Sequence, residues 1–304
     1  MSAASTRALS AEGLRARARV LRAVRGWLHE HGYLEVPTPA LVPSPAMEEH
    51  LFAVPAGDHF LRTSPEFALK RVLAAGLPRI YEIGPCFRDR EHGAWHGREF
   101  TMLEWYRAGA GPDEVMDEVE ALVAAAAAAL DVSPPSTWRR TTVRQLFEQA
   151  TGIDLATAIA SDLSEHDEPW DDAFLRRWVA DVEPGFSGGL FVTAWPASQA
   201  ALSQVRSDGP WPAAQRFETY LDGVELANGF LELIDPTEQR RRFAASNAAR
   251  AAAGEAPHPL DEAFVRAVGR MPRTTGIALG IDRLVAVLAG WEGIAPGRVE
   301  HPAD

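Results

Sequence analysis

Between Arg79 and Arg107 the chain reads RIYEIGPCFRDREHGAWHGREFTMLEWYR, and this span limits the possible folds more than any other. Its beginning alternates between faces, its end is a second β-rich run, and the middle is a charged loop carrying Gly93 and Gly97. That pattern predicts an antiparallel strand pair with a long loop. Arg88, at the end of the first strand, offers a planar fork suited to phosphate or carboxylate oxygens. His96 in the loop adds a donor, and Phe100 could stack on a purine ring. Taken singly, each also reads as surface charge, loop polarity or a core aromatic.

A second constraint is RFETYLDGVELANGFLEL, Arg216 to Leu233, which carries Glu218, Glu225 and Glu232 at intervals of seven. A two-residue turn at Asp222 and Gly223 sets Tyr220 opposite Glu225, with Glu218 diagonal to Glu225 on the same face. Two carboxylates on one sheet face repel unless a cation lies between them, and magnesium bridging to phosphates is the natural candidate. Strict alternation sends Glu232 to the other face; a bulge at Ala227–Gly229, centred on Gly229, would return it to the same cleft. The strands are too apolar for a solvated face, so buried glutamates here need partners.

Two shorter segments add to these. In TSPEFALKR, Ser64 and Glu66 flank a proline at a helix start, where they can cap the helix or hold a ligand's ammonium. TTGIALGIDRLVAVLAG, Thr274 to Gly290, passes from a small-residue strand through Gly280 into a helix with Arg283 in its first turn. Gly276, Ala278 and Gly280 would let a ligand lie on the backbone.

The remaining chain is read as scaffold. Leu14, Leu21, Val24 and Leu28 recur at helical spacing, predicting an amphipathic helix ending near Gly32 rather than an arginine-rich transit peptide. Residues 113–131 start acidic and end in an alanine block, as a packing helix does. Residues 133–137 form a proline-bearing linker, and 153–189 read as helices with acidic loops and no evident chemistry. The texture overall is α+β, a sheet with helices packed around it. A net charge of −12 opposes a non-specific grip on nucleic acid. One cysteine, Cys86, and no apolar run of ~20 residues suit a reducing, aqueous, cytoplasmic setting with no membrane anchor.

Arg88, Arg283 and the glutamates together describe a nucleotide site, and the segments occur in the order of the three signature motifs of class II aminoacyl-tRNA synthetases. GYLEVPTPAL resembles motif 1, CFRDREHGAWHGREFTMLEWY motif 2, and GIALGIDRL motif 3. TSPEFALKR, FTMLEWY and ELANGFLEL resemble the lysyl branch, and FTMLEWYR, PASQA and ELANGF are similar to its truncated relatives, the elongation factor P lysyltransferases. The resemblance covers about residues 14–290.

It implies the class II catalytic fold, an antiparallel sheet flanked by helices, in one catalytic domain spanning residues 1–304. The resemblance is to the truncated relatives, so no anticodon-binding barrel is expected before motif 1, and motif 1 would form a homodimer interface. It also implies an ATP-dependent ligase of two steps: an amino-acid carboxylate attacks the α-phosphate of ATP, then the acyl group passes to an acceptor amine. By the same resemblance Arg88 acts at the α-phosphate and Arg283 on the ATP. Phe100 stacks on adenine and His96 reaches the phosphate tail. Leu226 and Gly280 line the ATP end, and Glu218 and Glu225 hold Mg2+. Ser64 and Glu66 receive the backbone amine, Tyr106 and Glu232 the side-chain ammonium, Asn228 orients the carboxylate, and Glu104 helps close the pocket.

Ala278 stands where lysyl-tRNA synthetases have glycine and the lysyltransferases alanine, which favours (R)-β-lysine over lysine. One methyl changes discrimination by only ~1–3 kcal/mol. Arg90 stands where motif 2 usually has a glutamate for the adenine amino group. A guanidinium cannot accept a hydrogen bond, so either Glu91 takes over or backbone groups do. The expected acceptor is a lysine of elongation factor P rather than tRNA. Two further readings stay open: a ligase loading another amino acid onto a carrier protein or small amine, and a catalytically silent regulator.

Overall fold

The computed structural model describes residues 10–47, 51–164 and 166–299. The first helix, α1 (Ala11–Glu30), begins where the Ser10 hydroxyl accepts the Gly13 N–H at 3.0 Å, which satisfies one of the donors left free at a helix start. Its buried stripe is Ala16, Val20, Val24 and Leu28, flanked by half-buried Leu14 and Leu21. Gly32, at φ 76°, turns the chain out of the helix, and strand β1 (Leu34–Glu35) follows. The arginine-rich start from residue 11 is therefore a packed amphipathic helix.

The main sheet is built from β1, β2 (Arg79–Phe87), β3 (Glu99–Ala108), β4 (Trp138–Thr142), β5 (Gly189–Pro196), β6 (Ala213–Leu221), β7 (Val224–Leu231) and β8 (Thr274–Gly280). Their order is β1-β2-β3-β8-β7-β6-β5-β4, with Val205–Arg206 added beside β6. Every interior pairing is antiparallel, whereas β1–β2 and β4–β5 at the two ends are parallel. Strand β8 lies between the β2–β3 hairpin and the β6–β7 hairpin, so segments some 120 residues apart in sequence become neighbours on one face.

The pleat decides what each face does. Leu103 and Trp105 on β3, and Ile277 and Leu279 on β8, turn toward α1, α3 (Pro112–Ala129) and the helix Ile281–Leu288. There they join Val20, Val24, Val119, Leu122 and Leu284 in a core whose members are almost wholly buried. Full burial of such a side chain contributes ~1.5–3 kcal/mol. The alternate residues on the same strands, Glu104 and Tyr106 or Gly276 and Ala278, face the other way, over the candidate site.

The span 153–189 does form helices, at Ala160–Leu163 and Trp170–Arg177, and the latter runs on as a π turn through Trp178–Val182. Phe174 and Trp178 pack there with Phe147 and Trp195 in a second apolar cluster beside the β5 end of the sheet.

Candidate active site

The hairpin register aligns Arg79 with Arg107 through Phe87 with Glu99, and the next residue, Arg88, is held by its N–H to the Arg98 carbonyl at 2.8 Å. Phe100, Met102, Glu104 and Tyr106 consequently share one face of β3. They line a cavity of about 310 Å³ together with Ser64, Glu66, Arg88, Glu91, His96, Glu225, Leu226, Asn228, Glu232, Ala278, Gly280 and Arg283. Of the site residues expected from sequence, Glu218 alone is outside that lining.

Glu232 reaches the cavity through a bulge, but at a different residue from the one expected. Tyr220 pairs with Glu225 across the Asp222–Gly223 turn, as expected, with positive φ of 49° and 81° at the two turn residues. Thr219 then pairs with Ala227, so the extra residue is Leu226, and Gly229 sits in regular register opposite Phe217 and Ile277. Gly229 is needed for another reason: a Cβ there would lie 2.3 Å from the Phe217 ring. With parity reset at Leu226, Glu225, Asn228, Phe230 and Glu232 all face one way.

One end of the cavity is basic. The Arg88 guanidinium lies 5.1 Å from the centre of the Phe100 ring, and its Nε is buried without a partner. Arg283 donates to the Glu225 carbonyl at 2.8 Å and its carboxylate at 3.2 Å, and to the Trp95 carbonyl at 3.2 Å. Its Nη2 lies 2.7 Å from His96 Nε2. Burial and then the Arg283 charge hold His96 below its ordinary pKa, which favours the neutral ring as acceptor of that contact.

Arg90 takes a left-handed backbone, φ 64°, and its side chain leaves the cavity to pair with Glu255 at 2.8 Å over the Phe52 ring at 3.9 Å. The following residue, Glu91, lines the cavity instead. A carboxylate is thus present at this wall, one residue later than in the usual motif 2.

The opposite end is acidic. Ser64 accepts the Glu66 N–H at 3.0 Å and donates to Glu104 at 2.7 Å, so it both caps the turn and joins the site. Tyr106 donates to the other Glu104 oxygen at 2.6 Å. Burial, then the neighbouring Glu66, pushes Glu104 up to about 8, against those two hydrogen bonds. Burial likewise takes Glu232 up to about 8, with Glu66 and Glu104 adding to the shift and Lys70 opposing it. Asn228 turns into the cavity with its Oδ1 buried and without a donor. Gly276 lets Tyr106 and Glu232 converge, since a Cβ would come within 2.3 Å of the ring and 2.4 Å of Glu232 Oε1. Gly280 has no such demand, its nearest neighbour being Arg283 at 3.8 Å.

Sequence reasoning missed Lys70. This lysine is almost wholly buried on α2 (Glu66–Ala74) and ion-paired with both Glu66 and Glu232. A signal was available, because Lys70 falls on the apolar stripe of α2 with Phe67 and Leu73, four residues after Glu66.

For magnesium the donors are hard carboxylate oxygens, as that ion prefers. Glu225 is partly exposed at the wall and its carboxylate carries, among the described residues, only the Arg283 contact, so it fits a metal shared with phosphate oxygens. Both oxygens of Glu218 are taken, by Arg216 and by Tyr220 at 2.6 Å, and burial pushes it up to about 7. Among the described residues no cluster of three or more His, Cys, Asp or Glu could hold a metal without such help.

Residues 4–296 match the family described as tRNA synthetases class II (D, K and N). Three curated relatives share the name elongation factor P--(R)-beta-lysine ligase. That of Vibrio cholerae is 38% identical over 92% of each chain. That of Proteus mirabilis is 36% identical over 92% of this chain and 91% of its own, and that of Edwardsiella ictaluri 38% over the same shares.

Proposed function

From its membership in the class II tRNA synthetase family of the D, K and N type, we propose that this chain activates (R)-β-lysine or lysine with ATP. The acyl group then passes to a lysine side chain of elongation factor P. One observation carries the reading: a single cavity has two arginines at one end and, at the other, the buried carboxylates Glu66, Glu104 and Glu232. A zwitterion with a second ammonium matches that polarity when its carboxylate points at the arginines.

In this reading the chemistry needs position rather than a strong base, because the attacking carboxylate is already ionised. Arg88 binds the α-phosphate and disperses the charge that grows on it, Arg283 holds the phosphate tail with His96, and Phe100 stacks on adenine. Glu91 accepts from the adenine amino group in place of the usual glutamate. Asn228 orients the substrate carboxylate, Ser64 and Glu66 take one ammonium, and Tyr106 and Glu232 take the other. Leu226, Ala278 and Gly280 shape the walls, while Glu104, hydrogen-bonded to Ser64 and Tyr106, closes the acidic end. Magnesium on Glu225, with Glu218 behind it, would neutralise phosphate charge.

The acceptor is read as a protein amine, in keeping with the relatives' printed name and with a net charge of −12 that suits tRNA poorly. Large exposed Leu34 and Leu41 in GYLEVPTPAL support a homodimer through that segment. Among the described residues no helix is long and apolar enough to cross a membrane, and a cytoplasmic site of action is part of the proposal. The continuous sheet supports the chain's working as one catalytic domain.

The test is intact-protein mass spectrometry of elongation factor P incubated with this protein, ATP and (R)-β-lysine or lysine. A single acyl addition that depends on ATP and is lost in Arg88→Ala supports the proposal. No addition, alongside acylation of another carrier or amine, would overturn the choice of acceptor.

A further inference from the structure

Among the described residues, Lys70 is the one buried charge of the acidic end that the proposed reaction does not use. It projects from α2, and its ammonium contacts Oε1 of Glu66 and Oε2 of Glu232. Both glutamates line the cavity, and Glu232 Oε2, though ion-paired with Lys70, receives no hydrogen bond from any described residue. The two carboxylates, from α2 and from beyond the end of β7, therefore meet one shared ammonium at the acidic end of the cavity.

We propose that Lys70 is a positioning residue that holds the Glu66 and Glu232 carboxylates together at this end of the cavity, so that it accepts a substrate with two ammonium groups. The inference rests on the diamino-acid reading above and deepens it. Among the described residues, the charged groups facing Lys70 are Glu66 on its own helix, Glu232 beyond the end of β7 and Glu104 on β3, the last hydrogen-bonded by Tyr106. Three carboxylates against one ammonium leave the fully ionised pocket two net negative, the complement of a diammonium ligand. Burial opposes every one of these charges. Burial alone would also lower the Lys70 pKa, but the facing Glu232 and Glu66 outweigh it and the net shift is upward, so the lysine stays charged. The acids fare worse: Glu104 and Glu232 still rest near 8, so the empty pocket holds a proton at neutral pH and the arriving ammonium groups displace it.

A lysine that merely ties α2 to the end of β7 would affect stability alone. The measurement that separates the two roles is titration calorimetry of (R)-β-lysine or lysine binding, in buffers of different ionisation enthalpy between pH 6 and 9. Wild-type protein is expected to release protons on binding at pH 7 and fewer toward pH 9. Lys70→Met is expected to bind more weakly at pH 7, roughly tenfold for each unit by which the acids' titration rises. The loss should shrink as pH increases, the KM for ATP should not move, and Lys70→Arg should recover most of the affinity. Wild-type binding without proton release at any pH would overturn the inference even if the Met variant failed to fold. So would a Met variant with wild-type affinity and proton release. If no diamino acid bound at all, the proposed function would fall, and that result is distinct from tight binding without a proton linkage.

Discussion

Gly276→Ala tests how the acidic end is packed. The added Cβ would sit 2.3 Å from a Tyr106 ring carbon and 2.4 Å from Glu232 Oε1. Ordinary carbon contacts are about 3.5 Å, so ring or strand must give by roughly 1 Å. Neither is free to do so. Tyr106 is 2% exposed, packed with Leu69, Leu73 and Ile80 and hydrogen-bonded to Glu104, while Gly276 is paired on both sides, to Tyr106 and Phe230. Overpacking of this kind costs ~1–3 kcal/mol, which for a chain of this size lowers Tm by roughly 1.5–5 °C. A displacement near 1 Å at a positioning group can cost on the order of 10²-fold in rate. Thermal unfolding and exchange kinetics read the two effects separately. We expect a lower Tm, kcat/KM for the amino acid down by about that factor, and KM for ATP within about twofold. An alanine variant with wild-type Tm and amino-acid kinetics would show that Tyr106 and Glu232 are not held as described.

Glu104 and Glu232 titrate near 8 against an ordinary value of 4.5, so between those pH values the folded protein binds more protons than the unfolded chain. The ligand-free protein should lose Tm as pH rises through that window, and Glu232→Gln should flatten the slope; an equally steep slope would contradict the assignment. Glu91→Ala should raise KM for ATP by roughly tenfold, the worth of a hydrogen bond to a charged group, while Arg90→Ala, outside the cavity, should leave it within about twofold. The reverse order would return adenine recognition to residue 90. Glu225→Ala should shift the magnesium requirement of the exchange reaction to higher concentration more than Glu218→Ala does, because only Glu225 presents a free oxygen at the wall. Equal shifts would mean that Arg216 releases Glu218 in the working enzyme.

How far the sequence reveals this arrangement depends on the kind of interaction. The β2–β3 hairpin, the Asp222–Gly223 turn and the shared face of Glu218 and Glu225 were all legible, since they follow from local alternation and turn chemistry. The bulge itself was also legible, because three glutamates cannot share a cleft without a parity change. Its position was not: Gly229 is the obvious candidate, yet its missing side chain serves the Phe217 ring, and the chain slips at Leu226 instead. Glu218 was placed on the correct face, but Arg216, two residues earlier on that face, already occupies it. Arg90 looked like a defect in the nucleotide site. A left-handed residue there, stabilised on Phe52 and Glu255, swings Glu91 inward, and no single-residue propensity announces that. Lys70 joins Glu232 across 162 positions of sequence, a contact that only the assembled sheet creates.

The central claim is that one cavity joins ATP to a diamino acid. Amino-acid-dependent ATP–pyrophosphate exchange by the purified protein measures that step directly, without any acceptor. The account predicts exchange with (R)-β-lysine and more weakly with lysine, none with norleucine, which lacks the side-chain ammonium, and loss of exchange in an Arg88→Ala protein that still folds. Exchange driven equally by norleucine, or undiminished in Arg88→Ala, would contradict it.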